Sequence, residues 1–194
     1  MELEFWYEFA STYSYLSVMR IEKLAAEAGV PIRWCPFLLG PIFAERGWET
    51  SPFNIYPERG RYMWRDVARR AARHGLDFNR PSVFPRNGLP AARVALVGLE
   101  QGWCPEFTRA VFHAAFAEDR EIGEWEVLSE ILRSLERDPE EVHARANAPE
   151  NKAELRERTA TARARGIFGA PSFLVGDELF WGDDRLEEAL AWAS

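Results

Sequence analysis

The chain has 194 residues, a formal net charge of −7, 47% hydrophobic residues and 28% charged residues. That is a globular composition, long enough for one domain or for a core domain carrying an insertion, and it sets general disorder aside. The acidic balance argues against a broad nucleic-acid footprint, and no window reaches the roughly 20 apolar residues of a membrane span.

The start, Met1-Glu2-Leu3-Glu4-Phe5, lacks the basic and then apolar pattern of a signal peptide. Cys35 and Cys104 are the only cysteines and form no CxxC. They read as two buried thiols in a reducing, cytoplasmic setting, with a disulfide between them as the alternative. The three histidines, His74, His113 and His143, have no metal-ligand spacing, so no metal is expected.

In chain order, residues 2–9 carry aromatics in alternation and predict a first strand. Ser11-Thr12-Tyr13-Ser14 opens a helical pattern through Leu16, Val18, Ile21, Leu24 and Ala25, which Gly29 ends as a C-terminal cap would. Residues 31–37 predict a second strand, and strand, helix and strand at this spacing predict a parallel pair. From 40 to about 60 the chain is rich in Pro, Gly, Ser and Asn and reads as an irregular loop. Helical periodicity then runs through 62–75, 90–102, 105–119, 124–136, 139–146 and 149–165, with prolines at starts and connections. Arginines dominate 59–73, either as the solvated face of an amphipathic helix or as a local anion pocket. Ser172–Val175 and Glu178–Trp181 flank Gly176-Asp177, a hairpin pattern. A last helix is expected over 185–193, capped by Asp183 or Asp184.

The expected class is α/β. Residues 1–40 and 166–194 form one small layered domain, and 41–165 form a connecting loop and an all-helical insertion.

Three segments are distinctive together. They are Phe9-Ala10-Ser11-Thr12-Tyr13-Ser14-Tyr15-Leu16, Gly166-Ile167-Phe168-Gly169-Ala170-Pro171-Ser172-Phe173, and Leu179-Phe180-Trp181-Gly182-Asp183-Asp184-Arg185-Leu186. In this order and at these distances they resemble the 2-hydroxychromene-2-carboxylate isomerase and kappa-class glutathione transferase branch of the DsbA family. Gly60–Asp66 and Asn87–Arg93 extend the likeness nearly end to end. The resemblance implies a thioredoxin-like fold with a large helical insertion, glutathione as cofactor, a small aromatic substrate and a homodimer.

The residues suit that chemistry. Ser11 stands at the first helix start, where free N–H groups and the helix dipole favour negative charge. A serine there forms no disulfide, but its hydroxyl can donate to an external thiolate and lower that thiol's pKa. An N-cap role for Ser11 or Thr12 is the plainer alternative. Ser14, about a turn further on, is a second candidate at the substrate pocket. Pro171 is expected to be cis, leaving the Ala170 main chain free to pair with the cysteinyl backbone of glutathione. A trans proline at a strand start is the alternative. Asp184, and in the same segment Asp183, would take the γ-glutamyl ammonium, while N–H groups take its carboxylate. At Asp183 a second negative charge would repel that carboxylate unless it points away. Trp48 and Arg59 are the loop candidates for the glycine end, with Asn54 and Arg61 nearby. Trp48, Phe53, Tyr56, Trp64 and Phe84 could wall an apolar substrate pocket, with Asn87 supplying a polar group.

The expected activity is glutathione-dependent isomerisation of 2-hydroxychromene-2-carboxylate to trans-o-hydroxybenzylidenepyruvate in the breakdown of naphthalene-like compounds. A kappa-like transferase conjugating an electrophile and a non-catalytic thioredoxin-like binding protein are the alternatives. Disulfide exchange is disfavoured, because the dithiol is missing.

Overall fold

The computed structural model describes all residues, Met1–Ser194. Its four strands come from the two ends of the chain: β1 (Leu3–Tyr7), β2 (Ile32–Pro36), β3 (Ser172–Val175) and β4 (Glu178–Trp181). They form one sheet in the order β2-β1-β3-β4. β1 runs parallel to β2 with Phe5 opposite Trp34, and antiparallel to β3 with Phe5 opposite Phe173. β3 and β4 form the antiparallel hairpin, Phe173 opposite Phe180. This is a thioredoxin-like sheet, as expected.

Side chains alternate across a strand, so β1 feeds two cores. Leu3, Phe5 and Tyr7 enter the larger core with Phe173 and the helices, and Phe5 stacks on Phe173 at 5.4 Å between ring centres. Trp6 and Leu174 face the opposite way, onto Phe37, Ile42 and Ile167. Glu4 shares that second face. It accepts from Trp6 Nε1 at 2.9 Å and from Arg165 at 2.7 Å, and pairs with Arg33. Burial alone would raise its pKa, but these donors and charges outweigh it and hold the carboxyl below its ordinary value.

Helix α1 (Thr12–Ala28) starts where Ser11 Oγ accepts the Ser14 N–H at 3.1 Å. It ends at Gly29, whose φ of 67° lets its N–H reach the Ala25 and Ala26 carbonyls. The helical block comprises α2 (Leu39–Ala44), α3 (Pro52–Ile55), α4 (Pro57–Arg73), α5 (Leu89–Gln101), α6 (Cys104–Phe116), α7 (Trp125–Ser134), α8 (Pro139–Ala146) and α9 (Pro149–Ala164). Helix α10 (Leu186–Ala193) closes the chain. Tyr7 Oη bonds Thr108 Oγ1 at 2.9 Å, joining the sheet to α6 inside the core. No helix is long and apolar enough to cross a membrane.

Two expectations are corrected. Residues 40–60 are not one irregular loop: α2 and α3 lie within them, and α4 starts at Pro57 rather than near 62. Pro52 and Pro57 act as first-turn residues, where a missing N–H costs nothing, and Ser51 caps the Phe53 N–H at 3.3 Å. The last helix has no aspartate cap. A single 3-10 turn, Asp183–Arg185, precedes it, and Leu186 begins the α-helix without a side-chain cap.

Candidate active site

At the C-terminal ends of the parallel strands β1 and β2, a cleft of about 1340 Å³ opens between the sheet and the helical block. One wall is made by the α1 start, the Phe168–Ala170 loop and the Gly182–Arg185 turn. The other is made by segment 38–53, the exposed face of α4 and the stretch from Phe84 to Leu89. The Ala170–Pro171 and Phe84–Pro85 bonds are both cis. The first was expected, and the second carried no signal that composition could give.

On the sheet-side wall, Ser11 does two things at once. Its Oγ caps α1, and it donates to the Ala170 carbonyl at 2.9 Å, tying the helix start to the proline loop. The Ala170 N–H makes no backbone hydrogen bond. Asp184 is exposed on the same wall and pairs with no cation, although Arg185 beside it pairs with Glu188 at 3.0 Å. The position of Asp184 depends on Gly182, whose φ is 109° and where a Cβ would stand 2.6 Å from Asp184 Oδ1.

Asp183 is turned the other way. Its side chain is fully buried, with Oδ1 on Arg20 at 2.8 Å and Ser17 at 2.9 Å, and Oδ2 on Arg70 at 2.6 and 3.0 Å. It therefore does not face the cleft, and its assignment to cofactor binding is corrected. The carboxylate instead joins α1, α4 and the turn, satisfied by four hydrogen bonds from three side chains as a buried charge must be.

The other predicted residues divide. Trp48, Arg59 and Asn87 line the cleft, as do Phe53 and Phe84. The Arg59 guanidinium lies 4.8 Å from the Tyr56 ring and has no carboxylate partner. Asn87 Oδ1 accepts the Leu89 N–H at 3.1 Å at the start of α5. Ser14 and Trp64 are not part of the cleft surface. Ser14 is wholly buried within α1, one turn too far in, and its Oγ has no partner. Trp64 stands behind Phe84, edge to face at 4.8 Å, with Arg80 over its ring. Pro171 is buried beneath the wall that Ala170 presents.

Three cleft residues were missed. Arg46 lies over Trp48 at 5.8 Å. Tyr13 donates to Asp66 at 3.0 Å, and burial together with that carboxylate pushes its hydroxyl well above the ordinary value. Glu8 is the one buried acid on the lining, and burial pushes its carboxyl up to about 7. Its available signal was an acid at the end of an otherwise aromatic strand, three residues before Ser11. Neither cysteine takes part: both thiols are free and buried, and burial pushes Cys35 up to about 12.

Fold and site together define a thioredoxin-like protein whose helix-start position holds a hydroxyl instead of a thiol. The chain belongs to the family of the DSBA-like thioredoxin domain, whose sequence model matches residues 2–191. It is similar to a 2-hydroxychromene-2-carboxylate isomerase of Sphingobium xenophagum, 25% identical over 186 residues covering 95% of this chain and 94% of that protein. It is likewise similar to glutathione S-transferase kappa 2 of Caenorhabditis elegans, 25% identical, with 96% and 88% covered. A solved 2-hydroxychromene-2-carboxylate isomerase superposes with a TM-score of 0.88 at 23% identity, covering 99% of this chain and 94% of that one.

Proposed function

We propose that this protein is a glutathione-dependent isomerase acting on 2-hydroxychromene-2-carboxylate or a close aromatic relative. The observation that carries the reading is the row of unused polar groups along one wall: a helix start capped by Ser11, a free Ala170 N–H and an unpaired Asp184. These fit a peptide-like ligand with a sulfur at one end of the row and an ammonium at the other. Ala170 would hold the cysteinyl backbone as a strand edge does, and Asp184 the γ-glutamyl ammonium. Arg59, and Arg46 with Trp48, suit the glycine carboxylate. Bound glutathione would supply a nucleophilic thiolate able to add to a conjugated double bond and leave again after rotation. Ser11 would turn its hydroxyl from the Ala170 carbonyl to the sulfur, and the α1 start would favour the negative charge. Phe53 and Phe84 would pack a flat aromatic substrate on the opposite wall.

A kappa-like transferase is the second reading, favoured by the likeness to the nematode protein. It uses the same wall and consumes glutathione, whereas the isomerase regenerates it.

Calorimetric titration with glutathione, with Ser11→Ala and Asp184→Ala alongside, tests the reading. Binding in the micromolar-to-millimolar range that weakens in Asp184→Ala is expected. An ultraviolet thiolate signature present in the wild type and lost in Ser11→Ala is expected at equal saturation. That readout matters because Ser11→Ala also removes a helix cap, about 1 kcal/mol of stability whatever its chemical role. Absence of binding would leave a non-catalytic thioredoxin-like protein. With binding established, consumption of glutathione during turnover separates transferase from isomerase.

A further inference from the structure

Glu8 is a buried acid that nothing in the cleft neutralises. It directly follows β1, and its carbonyl accepts the Ser11 N–H at 2.9 Å, which fixes its backbone beside the α1 start. Its carboxylate packs against Gly88 so closely that a Cβ there would stand 2.5 Å from Oε1; that Cβ would next meet Phe9 Cβ at 3.2 Å and the Ala10 nitrogen at 3.5 Å. The Ala10 N–H is the one neighbour that favours its charged form. No charged group on the lining pairs with Glu8: Arg46, Glu49, Glu58 and Arg59 are exposed on the opposite wall, Glu58 paired with Arg61, and the rest are engaged or exposed. Arg86 holds the Ala115 and Arg120 carbonyls and pairs with Asp119; Arg70 is on Asp183; Asp66 is on Tyr13 and Arg69. Asp184 and Arg185 lie beyond the helix start, exposed to solvent.

We propose that Glu8 is the proton acceptor of this cleft: on binding of glutathione the S–H bond breaks, its electron pair stays on sulfur, and the proton passes to the Glu8 carboxylate. The inference rests on the glutathione reading above. Two negative charges in one low-dielectric cleft repel, so a thiolate and an ionised Glu8 are not stable together. The environments divide a single proton between them. The helix start and the Ser11 hydroxyl favour charge on sulfur, while burial against Gly88 favours a neutral carboxyl. Burial pushes Glu8 up to about 7, so at pH 7.5 most free molecules carry the carboxylate that can accept. Held there, the proton is available to the oxygen of a conjugated acceptor as sulfur adds, and returns on elimination with no net change.

The test counts protons rather than turnovers. Glutathione binding is measured by calorimetry at pH 7.5 in buffers of differing ionisation enthalpy, for the wild type and for Glu8→Gln. The wild type is expected to release well under half a proton, because Glu8 retains it, and Glu8→Gln about one. S-methylglutathione, which has no thiol proton, is expected to show no difference between the two proteins. Infrared difference spectra of the wild type provide a measurement that needs no variant: a protonated-carboxyl band should grow on adding glutathione and not on adding S-methylglutathione. Equal proton release by wild type and Glu8→Gln, or no carboxyl band, overturns the role of Glu8 and leaves glutathione binding intact. No glutathione binding by the wild type overturns the functional reading itself, and the role of Glu8 with it.

Discussion

The two walls of the cleft are built on different principles. The sheet-side wall is backbone held in place: Ser11 bonds the Ala170 carbonyl, Gly182 sets the turn, and Asp183 anchors it from behind to Arg20 and Arg70. The helical-side wall is side chain laid on side chain, with Arg46 over Trp48, Arg59 over Tyr56 and Trp64 behind Phe84, all beside solvent. A wall of fixed main chain suits an invariant, peptide-like ligand. A wall of stacked rings and long cations can be re-cut for different substrates without disturbing the fold. The adjacent acids Asp183 and Asp184 show the division at one-residue resolution, the first committed to the structure and the second exposed on the cleft without a cation partner.

Substitutions can break that contrast. The largest effect belongs to Asp183→Ala, which strips the shared anion from two arginines; a loss of about 3–5 kcal/mol in urea unfolding is expected. A loss under 1 kcal/mol would show that the anchor is not structural. Next is the pH dependence set by Glu8. The fold holds its carboxyl at about 7 against an ordinary 4.5, so the folded state binds that proton more tightly. Its stabilising contribution is complete below pH 4.5 and is lost as pH rises through 7, about 3 kcal/mol in all. Unfolding free energies of wild type and Glu8→Gln measured from pH 4.5 to 8 should diverge by that amount, and parallel curves would count against a neutral buried acid. Asp184→Ala comes third and reverses the pattern of its neighbour. Glutathione affinity should fall roughly tenfold to a hundredfold, the worth of a charge-assisted bond of about 1.5–3 kcal/mol, while stability stays within about 0.5 kcal/mol. The smallest effect is expected from Arg59→Ala on the opposite wall. An exposed cation contributes up to about 1 kcal/mol, so affinity should drop no more than about fivefold, and less at high salt.

Much of the sheet-side wall was legible because its determinants are local. A serine at a helix start, a proline before a strand and an acid after a glycine each declare themselves within a few residues. Segment 40–60 was harder because proline and glycine mark loops and helix starts alike. Pro57 begins a long helix, and Gly60 sits within it where the Phe53 carbonyl leaves no room for a side chain. Ser14 and Trp64 were misjudged because sequence distance from the site says little about direction: one is wholly buried within α1, and the other stands against Phe84 and off the cleft lining.

By itself, the sequence determined the order of elements outside segment 40–60, the α/β class, the hairpin, and the set of groups at the α1 start, since periodicity, caps and turn residues act over short range. Only the tertiary structure decided which of two neighbouring aspartates faces the cleft, that Glu8 is enclosed without a cation, and which aromatics form a wall. Those properties depend on what distant segments bring alongside: Arg20 and Arg70 to Asp183, and Gly88 to Glu8. Desolvation and charge pairing are sums over neighbours in space, which the order of residues along the chain does not specify.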